Sequence, residues 1–154
     1  MKSFPPKKPV DFEIEKEVWN MYELPSDNAY LKTRIVVVSV YQTSNEKAPN
    51  EVEYSGEISN IHSIVPFENF SLYGQPSSKA YGKDDFEKGR SIKVEFKIIT
   101  EDWNVYRLRD GTKITVRQVV ASVKRMLDMY DSHGTPIYVV DSTNIIHVES
   151  PEKR

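Results

Sequence analysis

The chain reads as an all-β protein, a tandem duplication of a β-meander whose two copies form one pseudo-two-fold barrel or sandwich. Three observations predict this. First, a pattern occurs twice: Val10, Phe12, Ile14, Glu17, Trp19, Asn20, Tyr22 and Leu24 recur 84 residues later as Val94, Phe96, Ile98, Glu101, Trp103, Asn104, Tyr106 and Leu108. Second, the repeat continues past the next turn at an offset of 83. There Asp27, Arg34, Val36, Val37, Ser39 and Val40 match Asp110, Arg117, Val119, Val120, Ser122 and Val123. The one-residue change falls inside a turn, where length changes cost least. Farther on, Tyr54, Asn60 and Ile61 match Tyr138, Asn144 and Ile145, again at 84. Third, the apolar residues either alternate with polar ones or are β-branched, and both patterns favour strands.

The 154 residues allow one domain or two very small ones. A domain of this length buries about 70% of its unfolded surface, whereas a single copy would be marginal, so the copies are expected to share one core. The predicted organisation is a flexible tail over 1–9, a first repeat over 10–66, a linker over 67–92 partly packed on the barrel, and a second repeat over 93–151. Cysteine is absent, which removes disulfides, thiolate zinc sites and cysteine nucleophiles. No apolar run approaches the roughly 20 residues of a membrane helix. The opening residues have lysines but no apolar region after them, so no secretory signal is expected and the location is read as cytoplasmic.

Taken in order, residues 1–9 hold three prolines and three lysines and read as an extended tail. Val10, Phe12 and Ile14 alternate with acids, the signature of a half-buried strand. Val94, Phe96 and Ile98 repeat it. Trp19 and Trp103 sit out of phase with these sets, which predicts a bulge or break near Lys16 and Glu17, and near Thr100 and Glu101. Arg109, Asp110 and Gly111 form a three-residue hairpin turn that places Tyr106 opposite Ile114 and Leu108 opposite Thr112, with Gly111 left-handed. Residues 117–130 alone have helical spacing, but the equivalent Ile35, Val36, Val37 and Val38 favour a strand. The repeat therefore predicts a long strand over 112–124, with a helical turn near 125–131 still open.

Nothing in the sequence asks for catalysis. His62 and His147 fall one residue out of equivalent register, so strand alternation turns them to opposite faces. No phosphate-binding glycine loop or nucleophile elbow occurs, and no metal or cofactor is expected. Glu17 and Glu101 are read as structural hydrogen-bonding groups at the break. Trp19, Trp103, Tyr22 and Tyr106 are expected in the core, because large aromatics dominate core energetics. The repeated Asn, Arg and Ser residues satisfy strand ends and turns on the simpler reading, and line a symmetric cleft on the sharper one.

Charge separates the copies. Between Val10 and Thr43 stand three cations and six anions; between Lys93 and Arg125, eight and four. The expected function is a non-enzymatic binding or assembly module acting through protein–protein contact, with a homo-oligomer or another protein as partner. The alternative is a small β-barrel that binds nucleic acid with its basic second hairpin. Arg107, Arg109, Lys113 and Arg117 are the candidate partner-binding residues in either case.

Overall fold

The computed structural model describes residues 7–45, 48–66 and 71–151, and most of them are strand. The first half contains β1 (Lys8–Val10), β2 (Phe12–Lys16), β3 (Asn20–Leu24), β4 (Ala29–Asn45) and β5 (Ala48–Pro66). The second contains β6 (Ser91–Val94), β7 (Lys97–Thr100), β8 (Asn104–Leu108), β9 (Lys113–Tyr130) and β10 (Pro136–Glu149). A short helix, α1 (Lys83–Lys88), precedes β6.

The strands form two antiparallel sheets. In the first, β4 pairs with β1, β3 and β5, and β3 pairs with β7. In the second, β9 pairs with β6, β8 and β10, and β8 pairs with β2. Each sheet thus takes one strand from the other half of the chain. Neither closes on itself: among the described residues β2, β5, β7 and β10 each pair along one side.

The strand expected to run through Val10 and Ile14 is in fact two. The chain turns at Asp11, whose carboxylate accepts the Phe12 N–H at 3.0 Å. β1 stays in the first sheet with Val10 opposite Val40, while β2 crosses to the second with Phe12 opposite Leu108. β7 makes the reciprocal crossing, with Ile98 opposite Tyr22. Lys8 and Pro9, read from sequence as tail, belong to β1; residues 1–6 lie outside the described residues. Pro9 is tolerated because β1 is flanked on one side only.

β9 is a strand throughout, as its match to β4 predicts. The helical turn left open near 125–131 does not form. Asp128 is left-handed at φ 65°, and the β9–β10 ladder steps from Tyr130–Pro136 to Arg125–Tyr138. This bulge buries both Met126 and Met129, and a second one at Ala121 buries both Val120 and Val123, so the misleading helical spacing comes from two irregularities in a strand. The stretch read as a linker contains α1, and β6 begins inside it at Ser91. It is tied down on the β9–β10 end: Gly74 N–H donates to Gly134 O and Ser77 N–H to Asp131 O, each at 2.9 Å. A Cβ at Gly89 would stand 2.7 Å from the Asp85 carbonyl oxygen, a backbone atom that cannot give way, so that approach requires glycine.

The core forms two clusters, and each draws on both halves of the chain. One joins Tyr22, Leu24 and Leu31 to Val120, Val123 and Tyr138. The other joins Ile35 and Val40 to Tyr106, Leu108, Ile114 and Val116. Half-buried Phe96 meets Tyr22 edge-on at 5.8 Å, and Phe12 meets Tyr106 at 6.0 Å.

The second hairpin turns as the sequence predicts. Leu108 N–H donates to Thr112 O at 2.8 Å, Gly111 N–H donates to Leu108 O at 3.0 Å, and Gly111 has φ 91°. Gly111→Val is therefore expected to destabilise by about 1–2 kcal/mol, since a β-branched residue is strained at positive φ. A urea midpoint unchanged from wild type would refute the strain argument.

Candidate functional site

Inward positions of β3 and β8 are Asn20, Tyr22, Leu24 and Asn104, Tyr106, Leu108, all buried. The period of two then sends the residues immediately before Asn20 and Asn104 outward. Trp19 is 45% exposed and Trp103 half-buried, which overturns the expectation that both lie in the core. Asparagine takes the interior place because its hydrogen bonds are satisfied there. Asn20 Oδ1 accepts Asp102 N–H at 3.0 Å and its Nδ2 donates to Gln118 O at 3.3 Å. Asn104 Oδ1 accepts Val18 N–H at 2.8 Å and its Nδ2 donates to Val116 O at 3.3 Å. Each asparagine fastens the crossing connection of the other half.

On the outer face of each sheet a tryptophan, an arginine and an isoleucine come together. Arg34 lies over the Trp19 ring at 5.7 Å and is the register partner of Ile61. Arg117 lies over Trp103 at 5.0 Å and is the register partner of Ile145. Ile61 is 44% and Ile145 36% exposed. These residues match one another in the repeat, so the chain carries the same aromatic–cation–aliphatic patch twice. The patches differ in detail. Glu17 forms an ion pair with Arg34, whereas Trp103 meets the His147 ring at 5.2 Å.

Four tyrosine–carboxylate hydrogen bonds join the halves. Tyr22 Oη donates to Glu101 at 2.7 Å and Tyr106 Oη to Glu17 at 3.2 Å. Tyr138 Oη donates to Asp27 at 2.7 Å and Tyr54 Oη to Asp110 at 2.6 Å. Glu17 and Glu101 thus hold structural hydrogen bonds, across the halves rather than along one strand. Burial first, and then the neighbouring carboxylate, pushes the Tyr22, Tyr106, Tyr138 and Tyr54 hydroxyls above their ordinary pKa. Burial opposes ionisation of Asp110, but the hydrogen bonds from Tyr54 and Thr112 outweigh it and leave its pKa lowered.

The raised tyrosines favour the folded state, and that contribution is complete below the unfolded tyrosine pKa of about 10. It is lost as pH rises from there through the folded-state values. Urea midpoints are therefore expected to fall above about pH 10, and to fall less steeply in Tyr22→Phe and Tyr106→Phe than in wild type. Identical alkaline slopes in all three proteins would refute the assignment.

The four basic residues singled out from the sequence divide. Arg107 and Lys113 are register partners on the outer face of the second sheet. They stand in a row with Glu13 on one side and Glu149 on the other. Arg107 also forms an ion pair with Glu15, which with Glu13 raises its pKa. Arg109 is exposed in the turn, and Arg117 lies on the same face as Lys113, over the Trp103 ring. The acids of β2, Glu13 and Glu15, thus flank Arg107, the one base of β8. The separation of charge along the chain is paired in space at two points, Arg107 with Glu15 and Arg125 with Asp27.

Two other features complete the surface. Among the described residues no group of three or more His, Asp and Glu converges as a metal site, and no helix is long and apolar enough to cross a membrane. A small apolar cleft of about 70 Å³ opens between the sheets, lined by Val37, Val40, Tyr54, Ile58, Ile146 and Val148. The corresponding recess in the other half is lined by His62, Tyr138, Val139 and Val140, together with Phe86 of α1. The paired patches were missed from sequence because each tryptophan was assigned to the core; the signal for them was the phase shift before Trp19 and Trp103. Comparison with protein-family models, with curated proteins and with solved structures finds no match.

Proposed function

We propose that this protein is a non-enzymatic binding or assembly module acting through protein–protein contact, and that the two Trp–Arg–Ile patches are its contact sites. One observation carries the reading. Twice, in matching places, a tryptophan is held at the surface under an arginine while an asparagine occupies the interior. Tryptophan and arginine supply most interface hot spots. A ring already fixed by a guanidinium loses less freedom on binding. The matched strand pairings support reading the chain as a tandem duplication folded into one pseudo-two-fold domain, and the open sheets favour a sandwich over a barrel. A patch on each sheet suits a partner with two copies of the complementary surface, a second molecule of this chain being the simplest.

Sedimentation velocity over a range of concentrations tests this. Wild type is expected to self-associate, and Trp19→Ser/Trp103→Ser to lose association while keeping most of its stability. The cost should stay near 1 kcal/mol at exposed Trp19 and about 1–2 kcal/mol at half-buried Trp103, rather than the 3–5 kcal/mol of a core tryptophan. A wild type that remains monomeric, or a double variant that associates equally well, overturns the reading. The nucleic-acid alternative is weakened by Glu13, Glu15 and Glu149 beside the basic pair. Oligonucleotide binding that falls steeply with salt would restore it.

A further inference from the structure

The two patches differ in one respect that identifies what the second one takes. In the first, the Arg34 guanidinium holds the Glu17 carboxylate, which is largely shielded from solvent. In the second, the equivalent glutamate, Glu101, bonds Tyr22 Oη at 2.7 Å. No carboxylate among the described residues pairs with Arg117. Its guanidinium lies against Trp103, and its Nε, like that of Arg34, is buried without a hydrogen-bond partner; the two sites differ at the terminal nitrogen, which Glu17 engages in Arg34 and no described carboxylate engages in Arg117. Arg34 shows which group this geometry accommodates: a carboxylate beside the ring-stacked guanidinium.

We infer that Arg117, backed by Trp103 and flanked by Ile145 and His147, is a receptor for an acidic side chain, Asp or Glu, presented by a protein partner. The inference rests on the contact reading of the patches and adds the chemistry of the bound group. The surroundings select a single carboxylate over a polyphosphate backbone. The row Glu13, Arg107, Lys113 and Glu149, on the same face as Arg117, offers no continuous basic track along which an extended polyanion could lie, because its two cations are matched by two anions. Ile145 and the Trp103 ring offer apolar surface for the flanking atoms of a peptide.

The Arg Nε–Hε resonances report on this directly. The probes are acetyl-Ile-Glu-Ile-amide, its glutamine counterpart, and tetrathymidylate. The glutamate peptide is expected to shift the Arg117 resonance saturably and to leave Arg34, already occupied by Glu17, in place. The glutamine peptide should bind about tenfold more weakly, having lost the charge-assisted bond. In a Trp19→Phe background the glutamate peptide should also change Trp103 fluorescence, and Arg117→Gln should abolish that change. Arg117→Lys serves as the second variant should Arg117→Gln fail to fold, and it should weaken the peptide by losing the planar fork. Equal binding of the two peptides, no shift at Arg117, an equal shift at Arg34, or tighter binding of tetrathymidylate would each overturn the inference. Tryptophan-dependent self-association would survive any of these, so the failure of this site is distinguishable from failure of the contact reading.

Discussion

Asp27→Ala is expected to destabilise the protein by about 3–5 kcal/mol, because it strands a buried guanidinium. Asp27 sits in the short 3-10 turn over Pro25–Asp27, and its side chain is only 4% exposed. It receives Arg125 Nε at 3.1 Å, with Arg125 17% exposed, and Tyr138 Oη at 2.7 Å. Both donors come from the other half of the chain. Removing the carboxylate leaves a cation and a hydroxyl out of water with nothing to accept from them, which costs more than the pair contributed. The matching turn supplies the control. Asp110 also accepts a tyrosine hydroxyl, from Tyr54, but it is exposed and pairs with no cation among the described residues. Asp110→Ala should therefore cost less, about 1–2 kcal/mol, because its hydrogen bonds from Tyr54 and Thr112 lie near water. Urea unfolding of both variants decides the matter: equal losses would show that the Asp27–Arg125 pair is not effectively buried.

Asn104→Ala is expected to cost about 2–4 kcal/mol, and Asn20→Ala a similar amount. Each buried amide satisfies one backbone donor and one backbone acceptor, and the donor lies in the connection of the opposite half. With alanine at 104, Val18 N–H loses its acceptor at the point where the chain crosses between sheets. The local readout is hydrogen exchange at Val18, which should accelerate markedly in Asn104→Ala and remain slow in Asn20→Ala. Asp102 should show the reverse pattern. Unchanged exchange at Val18 in Asn104→Ala would mean that the crossing is held by something other than this side chain.

The residues that make these contacts were visible as a pattern before their partners were. Asp27 with Asp110, Tyr54 with Tyr138, Asn20 with Asn104 and Glu17 with Glu101 all stood out because they repeat. Repetition marks positions under the same constraint, but it does not say which neighbour imposes it. The charge split illustrates the difference. An acidic first copy and a basic second one suggest opposed surface patches, yet β2 carries Glu13 and Glu15 across to β8, beside Arg107. The tryptophans illustrate it from the other side. Transfer energies alone place tryptophan inside and asparagine outside, and the structure reverses them because backbone groups, three of the four more than 80 positions away, satisfy the asparagines.

By itself the sequence determined the all-β class, the left-handed glycine turn at 109–111 and the strand conformation of β9. These follow from alternation, β-branching, glycine geometry and repetition, which all act over a few residues or between copies of one pattern. Only the tertiary structure decided that β2 and β7 exchange sheets and that each tyrosine finds its carboxylate in the other half. It alone decided that both tryptophans face outward. The physical reason is that ladder hydrogen bonds are made by the backbone, which is chemically the same in every strand. Side-chain periodicity fixes which face a strand buries, while the choice of neighbour is settled by packing and by polar groups brought together from distant parts of the chain.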